Sequence, residues 1–149
     1  MASIKFDNLK KNSSLINQDY TYSDLHYDIV MDGKQRDIVL DYDDQAIKNS
    51  LIRIFNTIPG ERFLFPKFGC NLYSYLFSPI TIDQAEVIGN AILDAVRIWE
   101  PRVEIQTPIT VIGDEANNQY EINMVVLFPT LKHQTKLSGI LTKNGFKEI

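Results

Sequence analysis

Few side chains in the 149 residues have the type and spacing that bond-making chemistry requires. Cys70 is the sole cysteine, and His26 and His133 are the two histidines. A Cys–His pair would supply a thiolate and its base, yet any lone cysteine can be matched to a histidine this way, and a buried thiol is its commoner fate. Glu61 and Glu100 lie in the least regular stretches and form the candidate pair for glycosidic hydrolysis, one carboxyl protonating the leaving group while the other attacks or activates water. With 19 acids some such pair is unavoidable, so spacing has little specificity. Gly-x-Ser-x-Gly, the phosphate-binding loop, the dinucleotide fingerprint and His-Glu-x-x-His are all absent. The residues call for no metal and no cofactor, and the expectation is a protein that is not an enzyme.

Charges at two corners are more informative. Glu61-Arg62 directly follows Pro59-Gly60, and Glu100-Pro101-Arg102 stands where a helical pattern gives way to a strand pattern. Arginine presents a planar fork of donors that grips a carboxylate or a main-chain carbonyl in a fixed direction. In one reading Arg62 or Arg102 pairs internally with Glu100 or Glu61 and pins helix to strand. In the other, one arginine faces outward as an interface anchor. The residues alone leave both open.

These corners are set by a short series of elements. Residues 1–20 have apolar positions without periodicity and read as an extended arm, or equally as a frayed terminus. Tyr27 to Leu40 reads as a hairpin turning at Asp32-Gly33. Asp43-Asp44 begins a helix as capping acids, and Ala46, Ile47, Ser50, Leu51, Ile54, Phe55 and Ile58 form its apolar face. Pro59-Gly60 stops it, with Gly60 the expected cap. Residues 61–80 are an aromatic-rich irregular link with a short helical turn expected from Leu72 to Phe77. Thr81 and Gln84 fit a capping box for a second helix, whose stripe is Ala85, Ile88, Ala91 or Ile92, Ala95 and Trp99, and which Pro101 ends. From Val103 the period becomes two, with Pro108 marking an edge or bulge. A turn at 113–118 leads to a return strand with Tyr120, Ile122, Met124, Val126 and Phe128 on one face. Thr135 to Leu141 is the last strand expected, before a turn at Asn144-Gly145. The fold class is α+β: N-terminal hairpin, two main helices joined by the aromatic link, and a C-terminal antiparallel meander. Residues 21–149 form a single domain behind the arm.

Composition bounds the rest. Hydrophobic residues make up 44% and charged residues 23%, a globular balance. Nine acids against five bases fall in residues 1–44, while the remainder is balanced, so the net charge of −4 is all N-terminal. A phosphate-binding surface needs a basic face, which argues against nucleic acid. The start lacks a signal-peptide apolar run and no window approaches the length of a membrane span, so the expectation is a soluble protein of the reducing cytoplasm with no membrane partner.

Ser23-Asp24-Leu25, Asp41 before the helix, Pro59-Gly60-Glu61-Arg62, Pro66-Lys67-Phe68-Gly69-Cys70-Asn71-Leu72, Leu76-Phe77 and Glu100-Pro101-Arg102 occur in one order. That order resembles the small baseplate wedge protein, or sheath initiator, of contractile-tailed bacteriophages and its type VI secretion relative, over about residues 22–128. The resemblance implies a structural part of the virion's tail baseplate, assembled in the host cytoplasm. Its partners would be the helical core bundle of the wedge scaffold proteins, the tail sheath protein and other baseplate or tail-tube proteins. Glu100, Pro101 and Arg102 would bind the bundle, with Glu61 and Arg62 as further partner contacts. The strands from Val103 to Leu141 would template the first sheath ring. The segment Thr135 to Leu141, with Leu137 and Ile140 as contact positions and Lys136 as a guard, is the candidate open edge, unless it only completes the protein's own sheet. Some members of that family carry a lysozyme label, which nothing in these residues supports. The alternatives are a type VI secretion component and a peptidoglycan-cleaving enzyme.

Overall fold

The computed structural model describes residues 20–26, 31 and 38–149. The arm as far as residue 19 and the Asp32-Gly33 turn lie outside the described residues. The hairpin is seen at its base: Met31 and Ile38 pair across it, and β1 (Ser23–Leu25) runs antiparallel to β2 (Leu40–Tyr42).

Helix α1 (Asp43–Asn56) follows without a break, but its two leading acids do not cap it. Asp43 adopts a positive φ of 44°, and its Oδ1 accepts from the main-chain N–H groups of Thr21 and Tyr22 at 2.8 and 3.0 Å. Asp44 instead meets His133 at 2.5 Å. The acids therefore tie neighbouring segments to the helix start, because the left-handed turn at Asp43 aims its carboxylate backwards. Polar side chains of the same helix fix β1 and β2. Arg53 bonds Asp24 at 2.6 Å and the carbonyl of Leu25 at 2.7 Å, and the buried Asn49 donates to Asp41, which also holds His26 at 2.7 Å.

The helix ends at Thr57, three residues before Gly60, so Gly60 is not its cap. The N–H of Cys70 returns to satisfy the free carbonyls of Ile54 and Thr57 at 3.1 and 3.0 Å. This return needs Gly69, whose φ is 111° and where a Cβ would lie 2.1 Å from the Thr57 carbonyl oxygen. Gly60, also at positive φ, turns the chain so that its N–H reaches the Pro66 carbonyl at 2.7 Å. The two glycines close residues 59–69 into a loop with a narrow neck. Beyond it Leu72–Phe77 forms a 3-10 helix, as the short apolar run predicts.

Helix α2 (Ile82–Trp99) begins at Thr81, whose hydroxyl accepts from the Gln84 N–H at 3.1 Å, the first half of a capping box. It buries Ile88, Gly89, Ile92, Ala95 and Val96, leaving Ala85, Ala91 and Trp99 half-covered at the margin. Four antiparallel strands follow in meander order, β3 (Glu104–Asp114), β4 (Gln119–Phe128), β5 (His133–Thr142) and β6 (Gly145–Glu148). The register of β3 on β4 shifts between Gln106 and Thr110, where Pro108 cannot donate to a ladder. Both helices pack on one sheet face, with Leu51, Ile54, Ile92, Ile122, Met124, Phe128, Leu137 and Leu141 at the centre of the core. On the opposite face Val125 and Leu127 are half-buried, and Val125 stands across from Gln106 and Lys136, whose long stems can cover it.

Strand β6 goes beyond the sequence expectation and covers the second half of the edge assigned to Thr135–Leu141. β5 pairs with β4 along its whole length and with β6 from Gly139 to Thr142. Leu137 is 1% exposed, a core side chain and not a contact surface, and Ile140 is half-buried. The first half of β5 has no strand on the β6 side, and there His133 reaches Asp44 of α1. β6 is held by its own aromatic anchor: Phe146 packs edge-on against Phe55 and lies over Gly139, where a Cβ would come within 2.2 Å of its ring.

Candidate functional site: the α2–β3 corner and the open edge of β3

The end of α2 brings together the charged residues of the second corner. Glu100 is the helix's C-terminal cap residue and is 2% exposed. Its two carboxylate oxygens accept from Nε and Nη2 of Arg102, each at 2.5 Å, in a fork-on-fork pair. Ser50 of α1 bonds the same carboxylate, so one buried group links both helices to the start of β3. Burial alone would raise the Glu100 pKa; the Arg102 and Ser50 hydrogen bonds and the guanidinium charge outweigh it and hold the carboxyl below its ordinary value. The bond to Glu100, against some desolvation, raises Arg102 in turn.

Clamp and anchor are therefore compatible in one residue. Arg102 spends two nitrogens on Glu100 and keeps a third of its side chain open to water. Its guanidinium lies 5.2 Å from the Tyr22 ring centroid. Nη1 makes no hydrogen bond among the described residues, and Pro101 beside it is exposed. The internal pair fixes the direction in which the remaining donors point, at no further cost in side-chain freedom when a partner arrives.

The first corner is built differently. Glu61 accepts from the N–H of Ile58 at 3.0 Å and completes the turn after α1. Arg62 meets no carboxylate among the described residues; its guanidinium lies 3.8 Å from the centroid of the Phe68 ring, and Phe68 packs on Trp99 at 5.1 Å. This stack joins the 59–69 loop to the last residue of α2, so both corners belong to one end of the molecule.

The enzymatic constellations do not assemble. Burial, helped by the Asp94 charge, pushes the Cys70 thiol up to about 11, and its sulfur meets only the Ala91 carbonyl. His26 and His133 are committed to Asp41 and Asp44. Glu100 is held ionised, the reverse of a general acid, which needs a raised pKa. Among the described residues no three His, Cys, Asp or Glu side chains are grouped to hold a metal. No helix among them is long and apolar enough to cross a membrane.

Among the described residues the open edges of the four-stranded sheet are β3 and the first half of β5. The outward N–H and carbonyl of Phe146 in β6 are both taken by the Asn56 side chain, at 2.7 and 2.9 Å, and Lys48 pairs with Glu148 beside them. On the far side of β3 no strand follows among the described residues. Between β3 and α2 runs a mainly apolar groove of about 400 Å³ lined by Ala85, Leu93, Pro108 and Val111 together with the polar Glu86 and Asn90.

Comparison with known proteins follows the same parts. The family model described as baseplate wedge protein gp25 matches residues 41–126, from β2 into β4, more than half of the chain. The chain belongs to this family. The baseplate wedge protein gp25 of Enterobacteria phage T4 is 37% identical over 83 residues, 56% of this chain and 62% of that protein, so the matched stretch spans less than two thirds of the relative. A crystal structure of a candidate tail lysozyme from Geobacter sulfurreducens superposes with a TM-score of 0.60 at 29% identity, covering 67% of this chain and 90% of that one. The baseplate of the anti-feeding prophage, determined by cryo-EM, contains a chain with the same fold, at a TM-score of 0.65 and 20% identity over 72% of this chain and 85% of that one. The stretch shared with the wedge family holds both helices and both corners but stops before β5 and β6.

Sequence reasoning found both corners and missed three features. Ser50 and Asn49 interrupt the apolar face of α1, and two polar residues on such a face were the available signal that something polar is buried against them. The Asn56 bond to β6 joins positions 90 residues apart and has no local signature. Phe63-Leu64-Phe65 fell within the aromatic-rich link with no side assigned, and the structure exposes all three.

Proposed function

We propose that the chain is a structural adaptor of a contractile-tail baseplate, working without catalytic turnover. Its α2–β3 corner docks on the helical core bundle of the wedge scaffold, and its β3 edge receives a strand from the first ring of sheath subunits. The observation that carries this reading is the forked Glu100–Arg102 pair, which presents Pro101 and the spare donors of a fixed guanidinium at the surface. Membership in the wedge family supplies the class of partner. In β3, exposed main-chain groups lie beside an apolar groove, so an incoming strand gains hydrogen bonds from one and side-chain pockets from the other. The proposed edge moves from β5 to β3 because β6 already occupies β5 from Gly139 to Thr142, whereas no strand lies beyond β3 among the described residues.

Two variants separate the docking steps, one at the exposed Pro101 and one at the half-covered Ala85. Pro101→Asp leaves the buried pair in place and should weaken binding to the purified wedge scaffold bundle at least tenfold with an unchanged melting temperature. Ala85→Glu places a carboxylate at the groove and should preserve bundle binding while blocking nucleation of sheath polymerisation. A Pro101→Asp protein that binds the bundle as tightly as the unaltered chain refutes the corner assignment. Cleavage of peptidoglycan by the chain, lost in Glu61→Gln, would replace the structural reading with an enzymatic one.

A further inference from the structure

We infer that the 59–69 loop is a second, apolar anchor, inserting Phe63, Leu64 and Phe65 into a groove between helices of the same bundle that receives the Glu100–Arg102 corner. This rests on the adaptor reading above and adds to it a surface of different chemistry. Phe63, Leu64 and Phe65 are 96%, 80% and 62% exposed, three consecutive large apolar side chains at the tip of one loop. Loop tips of a free-standing domain are ordinarily polar, and a contiguous apolar patch marks an interaction site.

The tip is presented rigidly. Its neck is closed by Gly60 to Pro66 at 2.7 Å, Phe68 to Phe65 at 2.9 Å and Cys70 to Thr57 at 3.0 Å, all main-chain bonds independent of the three side chains. Gly69 locks the return, since any Cβ there would meet the Thr57 carbonyl. A fixed loop loses little freedom on docking, which favours insertion.

Position and charge select the partner. The Arg62–Phe68–Trp99 stack sets the loop against the end of α2, one residue from Glu100, so a body resting on the corner also faces the tip. Arg62 and Lys67 flank the apolar tip, both exposed and neither in an ion pair among the described residues. An apolar knob between two cations fits a groove between amphipathic helices, whose apolar stripe lies between rows of charged residues, here acidic ones.

The test measures affinity of the full chain for the purified wedge scaffold bundle of the same tail. Phe63→Ser/Leu64→Ser/Phe65→Ser should keep the melting temperature and lose at least tenfold in affinity; Phe63→Ser alone, at the most exposed position, should lose severalfold. Lys67→Glu should weaken binding and flatten its salt dependence. If the triple variant binds as the unaltered chain does while Pro101→Asp does not, the loop anchor is overturned and the corner stands. If the unaltered chain fails to bind the bundle, corner and loop anchors fall together. Flotation with phosphatidylglycerol vesicles, or concentration-dependent dimerisation, abolished in the triple variant with bundle affinity unchanged, would reassign the tip to a membrane or to a second copy and overturn the proposal.

Discussion

The Glu100 carboxylate is the residue on which the corner turns. Arg102→Ala removes its charge partner and leaves a buried anion, which costs about 3–5 kcal/mol when the pair is fully enclosed and less here because Arg102 is partly in water. The expected outcome is a fall in chemical-denaturation stability of roughly 2–3 kcal/mol, so this variant alone confounds folding with binding. The acid limb checks the same pair. Because the folded pKa of Glu100 is lowered, its contribution is present above the unfolded value and is lost as pH falls through the folded one. Glu100→Gln should therefore flatten the decline of melting temperature below about pH 4.3. Tyr120 offers an independent check. Its hydroxyl is buried without a hydrogen-bond partner among the described residues, and burial raises its pKa. Tyr120→Phe should be neutral or stabilise by about 1 kcal/mol in urea unfolding.

Among the elements, the helices and the main strands were legible in the sequence because their signals are local. Periodicity located α1 and α2, Thr81 and Pro101 bounded α2, and Pro108 marked the register break of β3. Distant partners decided the rest. Asp43 and Asp44 look like capping acids in isolation, yet they bind Thr21, Tyr22 and His133. The Pro-Gly stop is real, but Cys70, fourteen residues after Asn56, satisfies the helix end. β6 was invisible because it is only four residues long and its anchors on α1, Phe55 and Asn56, lie some 90 residues away in the chain. One consequence concerns truncation: removing residues 135–149 deletes Leu137, Leu141 and Phe146 from the core and should abolish folding, so it cannot serve as a test of sheath templating. The loop neck gives a sharper element-level prediction. Gly69→Ala must adopt an unfavourable φ and push against the Thr57 carbonyl, and should lower stability by more than about 1 kcal/mol. Limited proteolysis should then open the chain between residues 61 and 68.

The whole molecule joins two surfaces on a small rigid body. In the proposed arrangement the fixed guanidinium and the apolar loop at one end of α2 face one partner, and the β3 edge with its groove faces another. The β5–β6 pair braces the sheet behind them, with α1 holding β6 through Asn56. The most direct measurement of this arrangement is a cryo-EM reconstruction of the assembled tail with the chain located in it. The account predicts Pro101 and Arg102 packed against the helices of the wedge bundle, and a strand of the first sheath ring hydrogen-bonded along β3. A reconstruction with that corner open to solvent and β3 unpaired would contradict it.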